Sequence, residues 1–146
     1  MSARNGEQIV FIDTNIFLRV LVKENERMFR ECKGILALIS KGDVVAYTNT
    51  IVLTEIQFVL TSIYKETREK IGVALESVCS IAALKIIDDT DAHGALFMYG
   101  KTNVKFSDCL IASSKRIQSE SAVVLSYDRD FDKLGVRRVE PKQLLK

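Results

Sequence analysis

Ile9-Val10-Phe11-Ile12-Asp13-Thr14-Asn15 is the stretch from which the fold can be read. Four apolar residues, three of them β-branched, favour a short strand, and a carboxylate stands where that strand would end. The pattern returns in Ala122-Val123-Val124-Leu125-Ser126-Tyr127, closed by Asp128 and followed by Arg129-Asp130-Phe131-Asp132. Two more acids sit in greasy surroundings. Glu55 interrupts Ile51-Val52-Leu53-Thr54 and Ile56-Gln57-Phe58-Val59-Leu60, and Asp108 opens Cys109-Leu110-Ile111-Ala112. An unpaired buried charge costs several kcal/mol, and a divalent cation is the strongest partner for grouped carboxylates.

Outward from these points, strand-like and helix-like patterns alternate. After the strand at 8–12, residues 13–22 read as a short helix. Met28, Cys32, Ile35, Leu36 and Ile39 mark a helix over 24–40 that stops at Lys41-Gly42. A strand is expected at 44–47, then a helix capped by Asn49 or Thr50 and running to about residue 64. Ile71, Leu75, Val78 and Ala82 form one stripe of a helix over 67–84. A short strand at 85–87 follows, then a helix capped by Asp89 or Thr90 and running to residue 99. Ser107 is expected to cap one continuous helix to about residue 118, with strands at 122–126 and 136–139. Strands separated by helices imply right-handed crossovers and a mostly parallel sheet covered on both faces. Ligands of such sheets bind beyond the carboxyl ends of the strands, where Asp13 and Asp128 fall.

Composition bounds the answer more loosely. A chain of 146 residues, 47% hydrophobic and 27% charged, is expected to form one domain, residues 1–146, with a real core. The net charge of +2 says little about partners. Residues 101–146, however, carry ten basic residues against six acidic ones, so neutralising Asp108 and Asp128 would leave that third distinctly positive. Cys32, Cys79 and Cys109 are odd in number and widely spaced, with a single histidine, His93. That excludes the usual zinc spacings and suggests three small buried hydrophobes in a reducing compartment. Residues 1–8 are polar, without a secretory apolar segment, and no apolar run approaches the ~18 residues that span a membrane. The expected location is the cytoplasm.

Each acid also has a plainer role open to it. Asp13 could cap the helix after the first strand, Glu55 could face solvent, and Asp108 could answer a helix dipole. Asp128 could hydrogen-bond its own turn, and Asp130 and Asp132 suit turn and surface positions. Four such coincidences in one chain are harder to accept than a shared purpose. Hard cations held by carboxylates can neutralise a phosphodiester, activate water near neutral pH and stabilise a leaving oxygen without any histidine. A Ser-His-Asp arrangement would depend wholly on His93, which has no nucleophile motif nearby.

The ordered set Ile12-Asp13-Thr14-Asn15, Glu55, Ser107-Asp108-Cys109-Leu110-Ile111-Ala112 and Leu125-Ser126-Tyr127-Asp128-Arg129-Asp130 resembles the PIN domain family of small metal-dependent ribonucleases, which includes the VapC-type toxins. The resemblance spans nearly the whole chain. It implies a three-layer α/β/α sandwich around a mostly parallel sheet of roughly five strands. It also implies a metal-dependent endoribonuclease, the toxin of a toxin–antitoxin pair. The implied site is Asp13, Glu55, Asp108 and Asp128 as catalytic metal ligands for Mg²⁺ or Mn²⁺, supported by Asn15 and Ser126. Asp130 and Asp132 crowd the fourth ligand position. Lys115, Arg116, Arg129 and Lys133 flank the site in sequence and are candidates for holding RNA. The expected partners are RNA, an antitoxin protein and a second copy in a homodimer, with helices 24–40 and 67–84 offering apolar surface. An RNA-processing nuclease, or a PIN-like RNA- or protein-binding module without cleavage, is the alternative. A phosphotransfer receiver domain fits less well, because its first strand would want paired acids where only Asp13 stands.

Overall fold

A computed structural model describes residues 8–145 of the chain; the polar segment 1–7 and Lys146 lie outside the described residues. Two buried strands form its centre. β1 (Ile9–Ile12) and β4 (Ala122–Leu125) run parallel, with Ile9 beside Ala122 and Ile12 beside Leu125. β2 (Val45–Thr48) pairs with the other edge of β1, placing Phe11 beside Tyr47 with their rings edge to face. β3 (Lys85–Ile86) and β5 (Arg138–Val139) complete an all-parallel sheet of five strands in the order β3-β2-β1-β4-β5. The fold is therefore the helix-flanked parallel sheet expected from the alternation of strand and helix patterns.

Local chemistry starts and stops the helices. α1 (Thr14–Leu21) begins directly after β1, and α2 (Glu26–Ser40) is capped by Asn25, whose side chain accepts the Met28 N–H. The chain leaves α2 through Gly42 at φ +81°, a left-handed conformation that glycine adopts without a Cβ penalty. Asn49 caps α3 (Thr50–Ser62) through the Val52 N–H, and Thr67 caps α4 (Arg68–Cys79) through the Lys70 N–H. Cys32, Ile35 and Ile39 of α2 and Val52, Ile56 and Leu60 of α3 bury one stripe each, at helical spacing, in the main core. Right-handed crossovers put α1–α4 on one face of the sheet. The returning connection, which holds α5 (Ala92–Lys101), α6 (Phe106–Ala112) and α7 (Lys115–Gln118), lies on the other. A short α8 (Pro141–Leu144) packs on α2.

Four sequence expectations are corrected here. The helix expected over 67–84 ends at Cys79; the chain turns through Ala83 at φ +69° to enter β3, leaving Ala82 and Cys79 exposed. The helix expected from Ser107 to residue 118 is broken in two. Ser114 Oγ donates to Asp89 Oδ1 at 2.6 Å and meets the Tyr47 hydroxyl at 2.6 Å, while Ser113 Oγ accepts the Asp91 N–H at 2.9 Å. These bonds hold both serines out of the helix register. Asp89, expected as a cap, is spent on that network, and α5 starts after Asp91 instead. Finally, the large exposed apolar side chains are not on α2. Among the described residues they are Phe58 and Ile63 in and just after the later turns of α3, Val73 on α4, Ile86 in β3, Leu96, Phe97 and Tyr99 on α5, and Phe106 at the start of α6. Among the described residues no helix is long and apolar enough to cross a membrane.

Candidate metal centre

The order of strands reverses between β1 and β4, and their carboxyl ends are held level. Asp13 N–H donates to Leu125 O at 3.1 Å, and Thr48 Oγ1 donates to Ile12 O at 2.9 Å. The residues that follow the two strands, Asp13 and Ser126, are thereby set side by side. Ser126 Oγ donates to Asp13 Oδ2 at 2.6 Å and accepts the Asp128 N–H at 2.9 Å. Asn15 closes the bracket, its Nδ2 donating to Asp13 Oδ2 (3.2 Å) and Ser126 Oγ (2.9 Å) while its Oδ1 accepts the Tyr127 N–H. From α2, Glu31 accepts the Tyr127 hydroxyl at 2.7 Å and steadies the same loop. Asp13 occupies the N-cap position of α1 but makes no side-chain cap bond, so capping does not account for its carboxylate.

Glu55 and Asp108 come in from opposite faces of the sheet, on α3 and on the first turn of α6. Glu55 accepts from Thr14 Oγ1 at 2.9 Å, from Ser107 Oγ at 3.2 Å and from Lys105 Nζ at 3.2 Å. Carboxylate oxygens of Asp13, Glu55 and Asp108 lie within 4.8 Å of one another, and those of Asp108, Asp128 and Asp130 do likewise. Asp108 belongs to both groups. At the fourth position the three aspartates are placed differently, and Asp130 stays beside Asp128 while pairing with Lys133 at 3.1 Å. Asp128 lines the cleft of about 230 Å³ that also holds Asp13, Glu55, Asp108 and Lys105, whereas Asp132 is drawn away to Arg138 at 3.1 Å. Asp128 also performs the turn role open to it: its Oδ1 accepts the Asp130 N–H at 2.9 Å.

Electrostatics at this cluster are unfavourable as it stands. Asp13 and Asp108 are almost fully buried, and Asp108 Oδ2 has no hydrogen-bond partner. Desolvation, reinforced by the neighbouring acids and opposed by the Ser126 hydrogen bond, raises Asp13 to about 6. Desolvation raises Asp108 further, to about 8, against the pull of Lys105 and with the push of Asp13, Glu55 and Asp128. Buried carboxylates with an orphaned oxygen and an all-oxygen donor set suit Mg²⁺ or Mn²⁺. Partners behind the ligating groups set their orientation, so Ser126→Ala is expected to weaken Mn²⁺ affinity by about 10–100-fold. Isothermal titration of Mn²⁺ into both proteins checks this.

The basic residues are distributed differently from their order in the sequence. Arg116 is committed to Asp89 at 2.7 Å and stacks over the Tyr47 ring, and Lys133 pairs with Asp130 at 3.1 Å. Lys115 and Arg129 are exposed. Sequence reasoning counted Lys105 only among the basic residues of 101–146 and not at the acidic cluster, and gave Ser107 a cap role although Lys105 occupies that position and Ser107 bonds Glu55. The available signal was spacing: Lys105 stands three residues before Asp108, one helical turn away.

The PIN domain family model matches residues 10–136. A curated relative, the VapC ribonuclease of Aquifex aeolicus (strain VF5), is 27% identical over 130 residues, covering 89% of this chain and 95% of its own length. Among solved structures, VapBC from Salmonella typhimurium bound to DNA contains a chain that aligns with TM-score 0.66 and 16% identity, covering 92% of this chain and 98% of that one. A chain of VapBC2 from Rickettsia felis, bound to a promoter DNA fragment, gives TM-score 0.63 and 23% identity over 91% of this chain and 98% of its own. The Mycobacterium tuberculosis toxin VapC20, which cleaves the sarcin–ricin loop, gives 0.62 and 15% over 89% and 98%.

Proposed function

This chain belongs to the PIN domain family, and from that premise we propose that it is a metal-dependent endoribonuclease that acts as the toxin of a toxin–antitoxin pair. The observation that carries the reading is the convergence of Asp13, Glu55, Asp108 and Asp128 in one cleft at the strand-order switch, with a buried Asp108 oxygen lacking any partner. The VapC ribonuclease relative supports the reaction, and the VapBC likenesses support an antitoxin partner. The exposed Leu96, Phe97 and Tyr99 on α5 and Phe58 on α3 are apolar surface suited to a second copy or an antitoxin.

Asp13, Glu55, Asp108 and Asp128 would hold Mg²⁺ or Mn²⁺, which when bound neutralises phosphate charge and makes a hydroxide available near neutral pH. The chain's own groups do the rest. Ser126 and Asn15 keep the Asp13 carboxylate from rotating, and Thr14 and Ser107 fix both oxygens of Glu55. Leu18 and Val59 add apolar surface to the cleft beside the acids. Incubating the protein with mixed RNA in Mn²⁺ or in EDTA tests the assignment. Internal cleavage in Mn²⁺ that EDTA abolishes is expected, and an intact RNA pool in Mn²⁺ would contradict it.

RNA would be held by exposed cations that flank the site in sequence. Lys115→Glu and Arg129→Glu are each expected to flatten the dependence of log affinity on log salt by roughly one unit, without altering sequence preference. Arg116→Glu is expected to behave otherwise. It leaves the nearly buried Asp89 facing a like charge, so it should cost about 1–3 kcal/mol of stability. Filter binding across a salt series, with thermal melts of each variant, separates the two kinds of basic residue.

A further inference from the structure

We propose that Lys105 is a tethered cation that trades places with the metal: it bridges Glu55 and Asp108 when the cleft is metal-free and passes to an RNA phosphate when metal arrives. The inference rests on the metal-site reading above. Among the described residues lining the cleft, Lys105 is the one basic side chain. Its Nζ lies 3.2 Å from Glu55 Oε2 and 4.0 Å from Asp108 Oδ1, so its charge stands among the oxygens on which a divalent cation would draw. Lys105 and the metal would compete for the same carboxylates, because like charges this close repel one another.

The side chain is built to leave. Its backbone is fixed at the start of α6, with Val104 buried beside it, yet the side chain itself is 59% exposed and reaches the acids from the rim. A flexible four-carbon stem with a compact, strongly hydrated ammonium can swing without disturbing the helix. A neutral side chain would not serve this exchange. Once displaced, the ammonium stays over the mouth of an otherwise acidic cleft, where the remaining ligand for it is an anion on the substrate. RNA that accepts Lys105 removes the competitor, so RNA and metal should each tighten the other's binding by the same factor.

The test measures Mn²⁺ binding by calorimetry in wild type, K105M and K105R, with and without a single-stranded RNA whose integrity is checked on a denaturing gel after each titration. K105M is expected to bind Mn²⁺ about tenfold more tightly than wild type in the absence of RNA. In wild type the RNA should tighten Mn²⁺ binding several-fold, and in K105M that gain should vanish. RNA affinity of K105M should fall, with a salt slope flatter by about 0.7. K105R keeps the charge and should retain both the weaker metal binding and the RNA-dependent gain, whatever K105M does to folding. Unchanged or weaker Mn²⁺ binding in K105M, while wild type binds Mn²⁺, overturns the exchange and leaves the metal site standing. Absence of Mn²⁺ binding in wild type overturns both.

Discussion

Asp13→Asn is expected to reduce Mn²⁺-dependent RNA cleavage by more than about 100-fold, beyond what loss of a supporting hydrogen bond would cause. The substitution removes one ligand charge at nearly constant shape. The fold should not suffer, because Asp13 is tied into the sheet by its backbone N–H to Leu125 O, and its side chain caps nothing. An asparagine oxygen can still accept the Ser126 hydroxyl, and a neutral amide costs less to bury than a carboxylate. Cleavage rates at saturating Mn²⁺, beside circular dichroism and melting temperature, decide the point. A variant that folds and cleaves like wild type would remove Asp13 from the ligand set.

The second large effect couples the cluster to stability. Asp13 and Asp108 are raised to about 6 and about 8 from an ordinary value of 3.8, first by desolvation. Folded protein then binds more protons than unfolded protein between roughly pH 4 and pH 8. Metal-free protein should gain stability as pH falls from 8 toward 4, and these two groups contribute nothing further below the unfolded value. The gain is lost again as pH rises through the folded values. Metal relieves the same repulsion at neutral pH, adding about 2.7 kcal/mol at a hundredfold excess over Kd. That corresponds to a rise of several degrees in melting temperature for a chain of this size. Asp108→Asn should raise the metal-free melting temperature slightly and erase most of the Mn²⁺-induced rise. Melts of both proteins at pH 5 and pH 8, with and without Mn²⁺, check it. An equal Mn²⁺-induced shift in both would make Asp108 an ordinary helix-start residue.

What was legible in the sequence followed from short-range physics. The apolar runs at β1 and β4 have too few residues for helices, and their register puts Asp13 and Ser126 together once the strands pair in parallel. The convergence of the acids could be read because a carboxylate inside an apolar run must find something to answer its charge. What could not be read depends on partners far away in the chain. The break between α6 and α7 comes from Ser114 bonding Asp89, 25 residues earlier, and local propensity carries no trace of that bond. Arg116 looks like a free cation for RNA until the same Asp89 claims it. Cys79, expected as a small buried hydrophobe, is instead exposed as the last residue of α4. Lys105 was hidden for the opposite reason: a lysine in a loop is ordinarily a solvated charge, and only the position of Glu55, 50 residues away, makes it part of the site.

The most direct measurement is where a metal goes. Crystals soaked in Mn²⁺ and measured for anomalous scattering should show density bounded by carboxylate oxygens of Asp13, Glu55, Asp108 and Asp128, with Lys105 Nζ moved off Glu55. A cleft without Mn²⁺ density at saturating concentration, or Mn²⁺ held elsewhere on the chain with Lys105 still bridging Glu55 and Asp108, would contradict the account.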